Sequence, residues 1–217
     1  MEEKKKTGLL SLLLQPRALL LIWGGLGLAV LAFVYVSAMI PATGNKSLQQ
    51  EKNKPRFESL LIGEMAKFEP AFPPRKAPFY RFDSPEGEID LSAFRGKTVL
   101  VNLWATWCAP CIEEMPTLDA LQEKLGGDDF AVVAIAAGPQ GKMPADRFLA
   151  RYELNNLTLY TDADLGFSGN MGFSTGLPLS ILYNAKGEEI GRFSGSAHWN
   201  SPEAIALIEA VMDGQKP

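Results

Sequence analysis

Cysteine and histidine are scarce in this 217-residue chain, with two of the first and one of the second. Together, Cys108, Cys111 and His198 fall short of the roughly four ligands a structural zinc site requires. A framework of several disulfides is excluded outright, and a single bridge over so short a loop constrains the unfolded chain little. Positive charge is also in deficit. There are 21 Lys and Arg against 25 Asp and Glu, and the formal net charge is -4. The acidic excess is carried by the part after Pro41, which argues against a nucleic-acid surface. No internal repeat is present.

The chain does contain one long run without charge, Ala18 to Ile40 ("ALLLIWGGLGLAVLAFVYVSAMI"). It is long enough to cross the hydrocarbon core as a helix. A buried core helix of that length would show a polar face. A cleavable signal peptide competes, with "VSA" at Val36 to Ala38 as a weak cleavage site, but the apolar run exceeds the usual signal core. An uncleaved anchor is therefore expected. Lys4, Lys5, Lys6 and Arg17 precede the run, and Lys46, Lys52, Lys54 and Arg56 follow it, so flanking charge does not decide the orientation. The expected organisation is a tail at 1–17 on the cytoplasmic side, a transmembrane anchor at 18–40, a flexible polar linker at 41–56 and one folded domain at 57–217.

Within the domain, Phe57 to Phe68 has the apolar spacing of a short amphipathic helix. Glu69 to Pro78 carries four prolines and reads as an extended connection. Phe79 to Leu91 reads as a hairpin around "SPEG". "TVLVNLWA" is almost continuously apolar and "FAVVAIAA" wholly so, as strands buried on both faces require. Helices are expected from Cys108 to about Leu125, over Pro144 to Leu154, and from Pro202 to about Gly214 with Ser201 as N-cap. "LTLYT" suits a short strand. "LSILYN" and "EEIGRFSG" form a closing hairpin across "AKG". The pattern describes an α/β fold with a mixed sheet flanked by helices.

Both cysteines lie in "WATWCAPCIEEMP", directly after a strand and at the start of a helix. Free N–H groups and the macrodipole at a helix start favour an anion. A redox pair is the favoured reading. Cys108, first in the helix, is expected to be the low-pKa attacking thiolate. Cys111, one turn further in, is expected to resolve the mixed disulfide. Trp107 and Pro110 stiffen the approach, and Pro116 is expected to kink the helix.

"VLVNLWATWCAPCIEEMPTLDALQ" resembles the extracytoplasmic branch of the thioredoxin fold. With "GSAHWNSPEAIALIEA", the stretch from about Pro78 to Asp213 resembles the TlpA family of membrane-anchored thiol:disulfide interchange proteins. The resemblance implies a thioredoxin-like fold, a reductase activity and no cofactor beyond the Cys108–Cys111 pair. It implies that Pro178 is a cis-proline beside the disulfide and that Leu177 and Pro178 face substrate. Asn102 stands where cytoplasmic thioredoxins carry a titrating aspartate, so that proton route is absent here. Glu114 matches a glutamate placed near the thiols, a group able to take the Cys111 proton. The alternative for Glu114, and still more for Glu113, is a solvated first-turn acid. Four glycines in "GFSGNMGFSTG" loosen the helix before Pro178, Leu179 stands where a polar residue is common, and His198 reads as a surface residue rather than a ligand.

The implied setting is the periplasm, with the chain held in the inner membrane. The implied partners are proteins with oxidised cysteines, namely the copper metallochaperone and the copper-binding subunit of cytochrome oxidase. A membrane thiol transporter would donate electrons. The alternative enzymatic reading is reduction of apocytochrome c before haem attachment. A copper chaperone of the same fold would use a longer cysteine spacing and a distant histidine, and a peroxidase normally lacks the WCxxC arrangement. Nothing in a tethered single domain calls for more than a monomer.

Overall fold

The structure is a computed structural model that describes residues 27–36, 57–138, 142–172 and 176–214. The chain divides into two compact units, Met1–Lys54 and Pro55–Pro217. In the first, residues 27–36 are helical with exposed side chains. The expected tail at 1–17, the rest of the expected span at 18–40 and the linker at 41–56 lie outside the described residues. Among the described residues no helix is long and apolar enough to cross a membrane.

The second unit is built on one eight-stranded mixed sheet. Its strands are β1 (Glu69–Lys76), β2 (Arg81–Ser84), β3 (Gly87–Asp90), β4 (Thr98–Trp104), β5 (Phe130–Ala137), β6 (Tyr160–Asp162), β7 (Leu179–Tyr183) and β8 (Glu188–Ser194). Their spatial order is β1-β8-β7-β4-β5-β6-β2-β3. The helices are α1 (Ala109–Leu125), α2 (Lys142–Arg151), α3 (Gly166–Met171) and α4 (Pro202–Asp213).

All seven residues of β4 are buried. Alternation sends Leu100, Asn102 and Trp104 to one face and Val99, Val101 and Leu103 to the other. The first face packs against α1, α2 and α4 through Met115, Leu118, Phe148, Leu207 and Ile208. The second packs against Phe167 and Met171 of α3 and Leu91. Covered on both faces, β4 is apolar throughout except for Thr98 and Asn102, as a central strand must be. It pairs in parallel with β5, Thr98 opposite Phe130 and Trp104 opposite Ala136. It pairs antiparallel with β7, Asn102 opposite Ser180 and Leu103 opposite Leu179. That register places Pro178 at the end of β4 from which the cysteine loop departs.

Three expectations are corrected. Residues 57–68 form two 3-10 turns, Glu58–Leu60 and Gly63–Lys67, rather than one helix. Ile62 is extended and Gly63 sits at φ +56°, so the helical path breaks between them. The proline-rich connection is instead an edge strand, where a missing N–H is tolerated. Finally, α2 stops at Arg151, and Glu153 adopts φ +54° just beyond it.

Candidate active site

Trp104 ends β4, and the chain turns at once to place Cys108 as the N-cap of α1. The Cys108 N–H donates to Ala105 O at 3.1 Å, which closes the turn. The Cys111 N–H donates to Cys108 Sγ at 3.3 Å, so the sulfur takes the capping role an oxygen would normally fill. Cys108 and Cys111 are joined as a disulfide with Cα atoms 5.3 Å apart. Both are buried, Cys108 at 6% exposure and Cys111 at 0%. Trp107 stands out at 62% exposure, and Ala109 and Pro110 are also exposed. Helix α1 runs on through Pro116.

Glu113 points to solvent, whereas Glu114 is 2% exposed. The difference follows from the helix: Cys111, Glu114, Met115, Leu118 and Leu121 form its buried stripe. Asn102 Nδ2 donates to Glu114 Oε1 at 2.8 Å. The Ala197 N–H and Trp199 Nε1 donate to Oε2 at 3.0 and 3.2 Å. Burial pushes the Glu114 carboxyl up to about 7, against the downward pull of these three donors. Asn102 Nδ2 also donates to Ser180 Oγ at 2.9 Å, tying β4 to β7. Its Oδ1 is buried without a hydrogen-bond partner.

The loop carrying Ala197 and Trp199 is pinned to α1 by Thr117, whose hydroxyl donates to Glu114 O and accepts from the Trp199 N–H. Leu177–Pro178 is a cis peptide bond, with Pro178 buried and Leu177 half-buried. Pro178 O accepts from the Gly195 N–H at 2.9 Å, which joins the segment entering β7 to the loop leaving β8 at the same end of the sheet. His198 is exposed and its ring Nδ1 lies 3.0 Å from Glu64 Oε1.

The structure thus gathers Cys108, Cys111 and Glu114 on the first turns of α1 and places Leu177–Pro178 at the adjoining end of β7. The sequence reading did not identify the partners that hold Glu114. Asn102 was visible as a polar residue in an apolar strand, but Ala197 contributes only its backbone, and the Trp199 contact joins residues far apart in the chain.

The sequence profile of the Redoxin family matches residues 67–208. The thiol-disulfide oxidoreductase ResA of Halalkalibacterium halodurans is 32% identical over 133 residues, covering 61% of this chain and 70% of that protein. ResA of one Bacillus cereus strain is 29% identical over 123 residues, 56% of this chain and 69% of that protein. Among solved structures, a Chlorobium tepidum protein assigned as the thiol:disulfide interchange protein DsbE superposes with a TM-score of 0.57 at 26% identity. That superposition covers 64% of this chain and 96% of the other. A strand-to-helix CxxC disulfide on this sheet, in a chain so related, identifies it as a member of the Redoxin family and, within it, as a TlpA-like thiol-disulfide oxidoreductase acting on protein disulfides.

Proposed function

We propose that the chain works as a reductase of protein disulfides outside the cytoplasm, held at the inner membrane by the 18–40 segment. Cys108 is the nucleophile and Cys111 the resolving thiol. The observation that carries this division of labour is the Cys111 N–H directed at Cys108 Sγ at the start of α1. A thiolate there gains a hydrogen bond and the positive end of the helix.

In the dithiol form the Cys108 thiolate attacks one sulfur of a substrate disulfide. A Cys108–substrate S–S bond forms, and the second substrate sulfur leaves as a thiolate and takes a proton. The Cys111 thiol gives its proton to the Glu114 carboxylate and attacks Cys108 Sγ. The Cys108–Cys111 disulfide forms and the first substrate sulfur departs as a thiolate. Two electrons pass from the enzyme pair to the substrate. Trp107, Pro110 and the Leu177–Pro178 segment form the surface the substrate meets. The partners in this reading are the copper metallochaperone and the copper-binding subunit of cytochrome oxidase, whose ligand thiols must be reduced before copper binds. A membrane thiol transporter restores the dithiol.

The equilibrium reduction potential of Cys108–Cys111 tests the direction. Couples run from about -270 mV for a reductant such as thioredoxin to about -120 mV for a strong oxidant. A value toward the lower end is expected. A value near the upper end would make the chain an inserter of disulfides and overturn the reading.

A further inference from the structure

For its ionisation to follow the pH of the medium, the buried Glu114 carboxyl needs a route by which its proton reaches water. Two of its donors, Asn102 and Trp199, are themselves buried and lead inward. The carboxyl nevertheless has an opening. A cleft of about 80 Å³ is lined by Glu64, Glu113, Glu114, Ser196, Ala197 and His198, large enough to admit water.

The loop between β8 and α4 organises this cleft with two consecutive N–H groups. That of Ala197 donates to Glu114 Oε2 at 3.0 Å. The next, that of His198, donates to Glu64 Oε2, also at 3.0 Å. One peptide unit therefore separates the buried carboxyl from a half-exposed one. The His198 ring returns to Glu64 through Nδ1, at 3.0 Å from Oε1 and 3.1 Å from Oε2. Its side chain is 73% exposed, so the other edge of the ring meets solvent.

We infer that the Glu64–His198 pair is the proton port of Glu114, carrying the proton from the buried carboxyl through the cleft to bulk water. This rests on the reading of Glu114 as the proton acceptor of Cys111. The step moves no electrons. The Glu114 O–H bond breaks, a cleft water takes the proton, the His198 ring, held by the Glu64 carboxylate, relays it to solvent, and Glu114 is left ionised.

The charged and polar surroundings suit the task. Asn102 from β4, and Ala197 and Trp199 from the β8–α4 loop, hold the Glu114 anion once it forms. Glu113 on α1 and Glu64 on the Gly63–Lys67 turn face the cleft. The His198 N–H, then the His198 ring, with Lys67 a lesser influence, keep the Glu64 carboxyl below its usual range. Glu64 therefore remains an anion that draws a proton outward and fixes the ring. Imidazole is the side chain best suited to pass protons near neutral pH, and His198 is the only histidine in the chain. Glu64 and His198 are positioning and relay residues that act through Glu114.

The test is turnover of a disulfide substrate by the full chain across the neutral range, for the parent protein and the variants Glu114→Gln, His198→Gln and Glu64→Gln, with and without free imidazole. His198→Gln keeps the backbone N–H bond to Glu64 and loses the ring with its Nδ1 contact to that carboxylate. It is expected to be slowed several-fold near neutral pH, with an unchanged melting temperature, and free imidazole is expected to restore it. Glu64→Gln should behave similarly, whereas Glu114→Gln should be slow and indifferent to imidazole. His198→Gln at parental speed, or slowed without rescue, would overturn the port while leaving Glu114 as the acceptor. An unaltered pH profile in Glu114→Gln would overturn the acceptor reading itself.

Discussion

A carboxyl group at 2% exposure is costly to ionise even with three donors around it, and Glu114 is such a group. Unfolded, it titrates near 4.5; folded, burial moves it to about 7. Between those values the folded chain still holds a proton that the unfolded chain has released. The stability this gives is fully present below 4.5 and lost as the pH rises through 7, a total of about 3 kcal/mol. Glu114→Gln has no such titration. The stability difference between parent and variant should therefore slope across that interval and flatten on either side. Denaturation of the oxidised protein at a series of pH values reads it directly, and a flat difference would mean the buried carboxyl ionises as it does in the unfolded chain. In the proposed mechanism the same ionisation controls proton acceptance from Cys111, so the activity of the parent should rise through about pH 7 and Glu114→Gln should lose that limb. The cysteines carry a separate expectation. Under the proposed division of labour, Cys108→Ser removes the attacking sulfur and should abolish turnover of insulin disulfides. Cys111→Ser should leave adducts with partner proteins through Cys108, visible on a non-reducing gel. The placement of both cysteines at a helix start was open to sequence reasoning because an N-cap position is a local property. Glu114 was open only in part. It falls on the buried stripe of α1 between Cys111 and Met115 and Glu113 does not, which is the local signal separating the two acids. Its donors come from β4 and from the loop after β8, and no periodicity reports them.

At the scale of elements, the segments best anticipated are those whose pattern arises within their own length. Strand β5 is an uninterrupted apolar run, β4 is apolar but for Thr98 and Asn102, and α4 opens with Ser201 accepting from the Ala204 N–H and Pro202 in its first turn. Strand β1 was hidden because Pro70, Pro73 and Pro74 remove ladder donors, and only an edge position makes that acceptable. Its pairing with β8 shifts register between Pro70 and Arg75. What holds β1 close is an absent side chain. Gly191 on β8 lies opposite Pro70, and a Cβ there would stand 2.6 Å from Glu69 O and overlap the Phe68 ring. Phe68 directly follows the turn that bears Glu64, so this packing also supports one wall of the cleft. Gly191→Ala must push β1 and Phe68 outward, at a cost of about 1–3 kcal/mol typical of overpacking. A fall of several degrees in melting temperature is expected, with the Cys108–Cys111 potential unchanged because that pair lies at the start of α1. A variant that melts with the parent would show that β1 yields without strain.

At the scale of the whole molecule, the two units have opposite relations to solvent. The Pro55–Pro217 unit places its large apolar side chains in two clusters on the faces of one sheet. The described helix at 27–36 leaves Leu28, Leu31, Phe33 and Tyr35 between 63% and 74% exposed. Apolar side chains left in water forgo about 25 cal/mol per Å² of burial, and a lipid phase would recover it. The order of strands along the sheet was beyond sequence reasoning. Strand β2 joins β6 through the single pair Asp83–Thr161 and carries β3 to the far edge, a contact set by tertiary packing rather than by either strand's pattern. The proposed anchor, by contrast, rests on composition alone. Flanking charge leaves its direction undecided, but the chemistry does not. Protein disulfides persist outside the cytoplasm, so under the proposed function the domain faces that side, where tethering would raise its effective concentration beside membrane-bound partners. The full chain should therefore sediment with membranes, resist alkaline carbonate and dissolve in detergent. In spheroplasts, added protease should degrade the Pro55–Pro217 unit. Release by carbonate would remove the anchor, and protection of that unit from protease would reverse the topology and with it the compartment in which Cys108 works.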